Sequence, residues 1–153
     1  KTELYPHSSL QWAYAQNPEA GFDWEFLPDR FRDKKHPNKK VFALWWFILP
    51  NMTFNFYPWG LSVNIYMPTP GDPMRIAFYW YHYVWDDEKY ERRNELWLSA
   101  QVHAEDIAAM AETQKNRQPG SSSLERGPLG NNEQGIHWLH KFVYREMFAT
   151  QRF

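Results

Sequence analysis

The chain has 153 residues, room for one domain with a real core and too few for two ordinary ones. Hydrophobic residues make up 43% and aromatics 19%, with nine Trp, which excludes a disordered tail and calls for broad aromatic burial. Lys and Arg number 17 against 18 Asp and Glu, so no net field draws the chain to nucleic acid or an anionic membrane, and the absence of Cys removes disulfides, thiolate nucleophiles and Cys-ligated metals.

Residues 1–40 carry Pro6, Pro18, Pro28 and Pro37 among scattered aromatics and end in the basic run from Asp33 to Lys40. They read as an irregular lead-in of loops and short elements, with the lysines on a solvated loop that introduces a strand. Val41 to Leu49 is almost continuously apolar and is bounded by Pro50 and Asn51, as a strand covered on both faces would be. Met52, Phe54 and Phe56 then alternate with Thr53, Asn55 and Tyr57, and the chain turns at Pro58, Trp59 and Gly60. Leu61, Val63, Ile65 and Met67 alternate with Ser62, Asn64 and Tyr66, a loop is expected over 68–73, and the next strand is expected from Arg75 to Val84. Successive strands joined by short turns predict an antiparallel meander over 41–84.

Residues 86–117 contain neither Pro nor Gly and are rich in helix formers, which predicts two helices or one bent helix. Pro- and Gly-rich segments at 119–123 and 127–130 bracket a loop. Asn131 followed by Gln134 then resembles a helix-starting cap for a last helix over 131–148. Its Ile136, Leu139 or His140, Val143 and Met147 recur at helical spacing, a stripe that can lie on a sheet. Strands followed by segregated helices make an α+β domain spanning 1–153. No apolar run is long enough to span a membrane and no basic-then-apolar leader opens the chain, so a cytoplasmic protein is expected. Opening on Lys1 rather than Met is the mark of a processed, excised or incompletely recorded polypeptide, and a fragment and a natural short protein both stay open.

The stretch from Phe42 to Pro73 is similar to the sheet segment of Rieske-type non-haem iron oxygenase large subunits, especially the choline monooxygenase-like branch. Glu105-Asp106, with Gln114 eight residues after the Asp, resembles that family's segment carrying the carboxylate ligand of its mononuclear iron. The run from Glu133 to His140 resembles the opening of its last long helix. The resemblance covers roughly residues 41–148 and is identified with the C-terminal part of the catalytic domain. It implies a helix-grip fold of the START or Bet v 1 kind, an antiparallel sheet wrapped on the long C-terminal helix, present here incompletely. It also implies a dioxygen-dependent hydroxylation or demethylation of a small organic substrate, with electrons passing from a reductase or ferredoxin through a [2Fe-2S] cluster to Fe(II), in a homotrimer.

Fe(II) that must bind dioxygen needs a few firm ligands and open positions, and two imidazoles with one carboxylate leave one face free. The resemblance makes Asp106 that carboxylate, whereas spacing alone reads it as an exposed acid in the first turn of a helix. Met110 and Gln114 share its helical stripe and are candidates to shape the pocket or orient a ligand from behind. The family's two His ligands come from an H-x4-H segment, and none of His7, His36, His82, His103, His137 and His140 has that spacing. The cluster needs Cys and cannot form from this sequence, so Fe(II) is expected here with an incomplete ligand set. His137 and His140 lie one helical turn apart and are read as structural, as are His82 and His103. Asn55, Asn64 and Tyr66 are candidate substrate-pocket residues if their sheet face is the one gripped by the helix, and merely wet if it is not; register decides. A non-catalytic helix-grip module that binds a small apolar ligand without metal is the alternative.

Overall fold

The structure, a computed structural model, describes residues 1–97, 99–116, 130 and 133–149. Its frame is one antiparallel sheet of six strands in sequence order, β1 (Thr2–Leu4), β2 (Ser8–Tyr14), β3 (Val41–Ile48), β4 (Met52–Tyr57), β5 (Gly60–Thr69) and β6 (Asp72–Val84). Helices α1 (Asp87–Glu91), α2 (Arg93–Trp97), α3 (Ser99–Asn116) and α4 (Gln134–Ala149) follow. The class is α+β, consistent with a helix-grip-like fold.

Two local expectations are corrected. The stretch expected as an irregular lead-in contributes β1 and β2, and β2 pairs along β3 from Ser8 opposite Ile48 to Tyr14 opposite Val41. Ser9, Gln11 and Ala13 alternate there with Leu10, Trp12 and Tyr14, a period-2 pattern that Pro6 and Pro18 bound but do not interrupt. The loop expected over 68–73 shrinks to a tight turn at Pro70 and Gly71, where Gly71 takes φ 78° at no steric cost. Pro68 stays within β5 beside an irregularity in the β5–β6 register, where a missing N–H is tolerated. The helical region expected over 86–117 is helical at 87–91, 93–97 and 99–116, with a turn at Arg92 and with Leu98, between the last two, outside the described residues. Asp86 caps the first by accepting from the Lys89 N–H, and Arg92 ends it, tied by its guanidinium to Glu95 and Glu19.

Register sorts the side chains of the sheet into two faces. One carries Leu10, Trp12, Leu44 and Phe56 and is covered by the single-turn helices between β2 and β3. From that segment Phe22 and Phe31 are buried against Leu10, Trp12, Val41 and Leu44, with Phe31 perpendicular to Trp12 at 5.2 Å. The other face carries Gln11, Trp45, Asn55, Ser62 and His82 in one cross-strand row and Ser9, Phe47, Thr53, Asn64 and Trp80 in the next.

A second core joins this face to the helices through the β4–β5 turn. Trp59, 1% exposed, packs with Ala20, Trp97, Tyr57 and Tyr90. Its carbonyl accepts the Trp85 and Asp86 N–H groups, and Trp85 Nε1 donates to the Pro58 carbonyl, so the turn is tied to the start of α1. Gly60 permits the close return: a Cβ there would stand 2.5 Å from the Tyr83 carbonyl oxygen.

Helix α4 lies against the β1–β2 edge rather than over strands 41–84. A Cβ on Gly135 would lie 3.6 Å from Gln11 Nε2, and Phe142 meets His7 edge-on at 6.3 Å. The less exposed side of α4 is Gly135, Trp138, Leu139, His140 and Phe142, which takes in Leu139 and His140 of the expected stripe, whereas Ile136, Val143 and Met147 are exposed. Gly135 and Phe142 stand where Ile136 and Val143 were expected, one residue earlier, because the bulkier rings of Trp138 and Phe142 go to the sheet side. The expected cap Asn131 lies outside the described residues, as do residues 117–129, on which most of the expected loop falls.

Candidate functional site

Four strands, β3 to β6, and two helices line a cavity of about 350 Å³ against the second face of the sheet. Thr53 and Asn55 from β4, with Ser62 and Asn64 from β5, form a polar floor, since Asn55 stands opposite Ser62 and Thr53 opposite Asn64. Asn55 Nδ2 donates to Thr53 Oγ1 at 3.4 Å, Ser62 Oγ to Asn64 Oδ1 at 3.3 Å and Trp80 Nε1 to Ser62 Oγ at 2.6 Å. Asn55 and Ser62 are buried, so these contacts compensate for lost water.

Eight aromatic side chains complete the walls, from Phe42 and Trp45 at one side to Phe78 and Trp80 at the other, with Tyr57, Trp59, Tyr66 and Trp97 between. Tyr57 stacks on Trp59 at 5.2 Å and 7°, and Trp45 Nε1 donates to the Tyr57 hydroxyl, while burial raises the Tyr57 phenol above its ordinary pKa. A volume near the lower end of small-molecule sites, apolar walls and a few convergent polar groups suit one small organic molecule.

From the helices come Trp97, Val102 and Asp106. The structure thus brings Asp106, Asn55, Asn64 and Tyr66 together in one lining. Asp106 is exposed on α3 while contributing to the cavity, and among the described lining residues it is the only one with a formal charge. Met110, 54% exposed, does not line the cavity, and the Gln114 side chain lies outside the described residues. Glu105 turns back to accept from Gln101. His137 is exposed and lines a separate hollow with Leu4, Trp138 and Lys141, away from Asp106.

Sequence reasoning treated His82 as structural, but it lines the cavity. Its parity with Trp80 on β6 was the available signal; without register it could not be joined to Asn55 and Ser62. Its Nδ1 lies 2.9 Å from the Tyr90 hydroxyl, and burial, with the Arg93 charge as a smaller contribution, lowers its pKa from the ordinary 6.5. The unfolded chain takes up this proton near pH 6.5 while the fold resists it, so the stability tied to His82 is full above about pH 6.5 and is lost as pH falls toward the folded pKa. Thermal melts from pH 7.5 to 5 are expected to fall less steeply for His82→Gln than for the wild type; parallel curves would contradict this.

Among the described residues no three His, Cys, Asp or Glu side chains converge as a metal site. The residues present therefore do not fit a complete iron centre, and Asp106 with the cavity is what they offer. No helix among the described residues is long and apolar enough to cross a membrane.

A family model described as the ring hydroxylating alpha subunit (catalytic domain) matches residues 6–149. No curated protein and no solved structure matches the chain. A match running from β2 through α4 takes in both walls of the cavity, and the chain belongs to the ring-hydroxylating alpha-subunit family, within its catalytic domain.

Proposed function

We propose that this chain is the C-terminal part of the catalytic domain of a Rieske non-haem iron oxygenase, in which Asp106 supplies the carboxylate ligand of the mononuclear iron. The observation that carries this reading is that Asp106 from α3 shares the lining of one cavity of substrate size with Asn55 and Asn64 of its floor and Tyr66 of its wall. The family implies non-haem iron and a Rieske cluster in its full-length members. The iron supplies dioxygen activation when bound; this chain's own residues would bind and orient the organic substrate on the polar floor and exclude water with the aromatic walls. Two His ligands and all cluster ligands would come from polypeptide outside this sequence, which has no Cys.

The choline monooxygenase-like branch is our proposal for the subfamily. Aromatic faces accept a soft organic cation as readily as an apolar body, and the only formal charge among the described lining residues is negative. Hydroxylation or demethylation, electron delivery by a reductase or ferredoxin, a homotrimer and a cytoplasmic location complete the proposal. A metal-free ligand-binding module is not favoured by the family match.

Metal analysis after anaerobic Fe(II) loading is the test, made on the oxygenase that contains this chain. The wild type is expected to hold iron and Asp106→Ala to lose most of it; wild-type iron content in the variant would overturn the assignment. The chain by itself is expected to hold well under one iron per molecule. Stoichiometric iron in it, lost on changing His137 or His140, would also overturn the reading.

A further inference from the structure

His82 stands opposite Ser62, at the end of the row that includes Asn55. Its ring is perpendicular to Trp80 at 4.5 Å and lies 5.2 Å from Trp59 and 5.6 Å from Tyr90. The Arg93 guanidinium sits 4.0 Å over the Tyr90 ring while its Nη1 donates to the Tyr90 carbonyl. A cation on its π face draws electron density from the phenol and makes the hydroxyl a better donor than acceptor. Nδ1 of His82 therefore accepts from Tyr90, and the neutral ring carries its hydrogen on Nε2. That Nε2 is buried and has no hydrogen-bond partner among the described residues. A buried donor without an acceptor is rare and costly, and this one belongs to a side chain in a cavity wall. With Asp106 the only formal charge among the described lining residues, an anionic acceptor is disfavoured and an uncharged one is not.

We propose that His82 is a ligand-contacting residue of this cavity, its Nε2–H donating to an uncharged oxygen acceptor, a carbonyl or hydroxyl, on the bound organic molecule. The proposal rests on the reading of the cavity as the substrate site and adds which end of the substrate is recognised and by what. Tyr90, with Arg93 over its ring, acts through His82 as a positioning residue that fixes its tautomer.

The probes are acetophenone and α-methylstyrene, which share a shape and differ by a carbonyl oxygen in place of a methylene. Affinities are measured by ligand-observed NMR on the protein and on its His82→Phe and His82→Gln variants. The acetophenone-to-α-methylstyrene affinity ratio is expected to fall about tenfold in His82→Phe, the size of one hydrogen bond, and to recover in part in His82→Gln, which restores an N–H. Nitrogen-15 spectra of the wild-type imidazole are expected to show the Nε2–H tautomer and a shift at Nε2 with acetophenone alone. An unchanged ratio with both probes bound, or an Nδ1–H tautomer, overturns the His82 assignment and leaves the cavity reading standing. Failure of both probes to bind the wild type overturns the cavity reading, and this proposal with it; α-methylstyrene bound without acetophenone overturns the His82 assignment alone.

Discussion

Replacing Trp59 with alanine is expected to lower the unfolding free energy by about 3–5 kcal/mol, the range for deleting a buried aromatic side chain. Trp59 is the largest fully buried side chain. It stacks on Tyr57 at 5.2 Å, meets His82 at 5.2 Å and Tyr90 at 5.1 Å, and shares a core cluster with Trp97. These partners come from β4, β6, α1 and α2, so a hole at Trp59 loosens the seam between sheet and helices rather than one local contact. The main-chain bonds from Trp85 and Asp86 to its carbonyl remain available to alanine, which confines the loss to packing. For a chain of this length the midpoint is expected to drop by roughly 6–20 °C. Phe26, 76% exposed, is the control, and its alanine variant is expected to stay within about 1 kcal/mol of wild type. Equal losses in the two variants would show that the Trp59 seam does not hold the fold together.

Asp106→Ala is expected to reduce turnover by the oxygenase that contains this chain more than about 100-fold, since loss of a residue that merely orients a ligand already costs 10- to 100-fold. The fold is expected to be spared. Asp106 is exposed on α3 and carries no apolar contact surface to lose, and alanine is the better helix former by a few tenths of a kcal/mol. The informative pattern is activity lost with the midpoint unchanged or slightly raised. Glu105→Ala, which removes only the bond from Gln101, is expected to leave turnover unaltered. Wild-type turnover in Asp106→Ala would remove this residue from the iron assignment, and equal losses at both acids would point to a general electrostatic effect instead.

Strand periodicity carried most of the sheet. A side chain's face follows from position parity alone, so the separation of Met52, Phe54 and Phe56 from Thr53, Asn55 and Tyr57 was legible without coordinates. Break residues located the β4 and β5 boundaries for the same local reason, and helix formers located the helical region after Asp86. The segment at β1 and β2 was harder to read, because its prolines signalled loops while its alternation signalled a strand.

Only the tertiary structure decided which sheet face is enclosed. Parity tells Asn55 from Phe56, but register must join β4, β5 and β6 before Asn55, Ser62 and His82 form one row, and a slip of one residue would send all three to the opposite side. That Asp106 and Asn64 share a lining depends on where α3 falls after the turn at Arg92, and the path of α4 along β1 and β2 depends on whether Trp138 or Ile136 turns inward. Each is a choice between nearly equal local alternatives that distant contacts settle. The strands were therefore written in the sequence as local patterns, whereas the cavity exists only as a sum of long-range contacts between them.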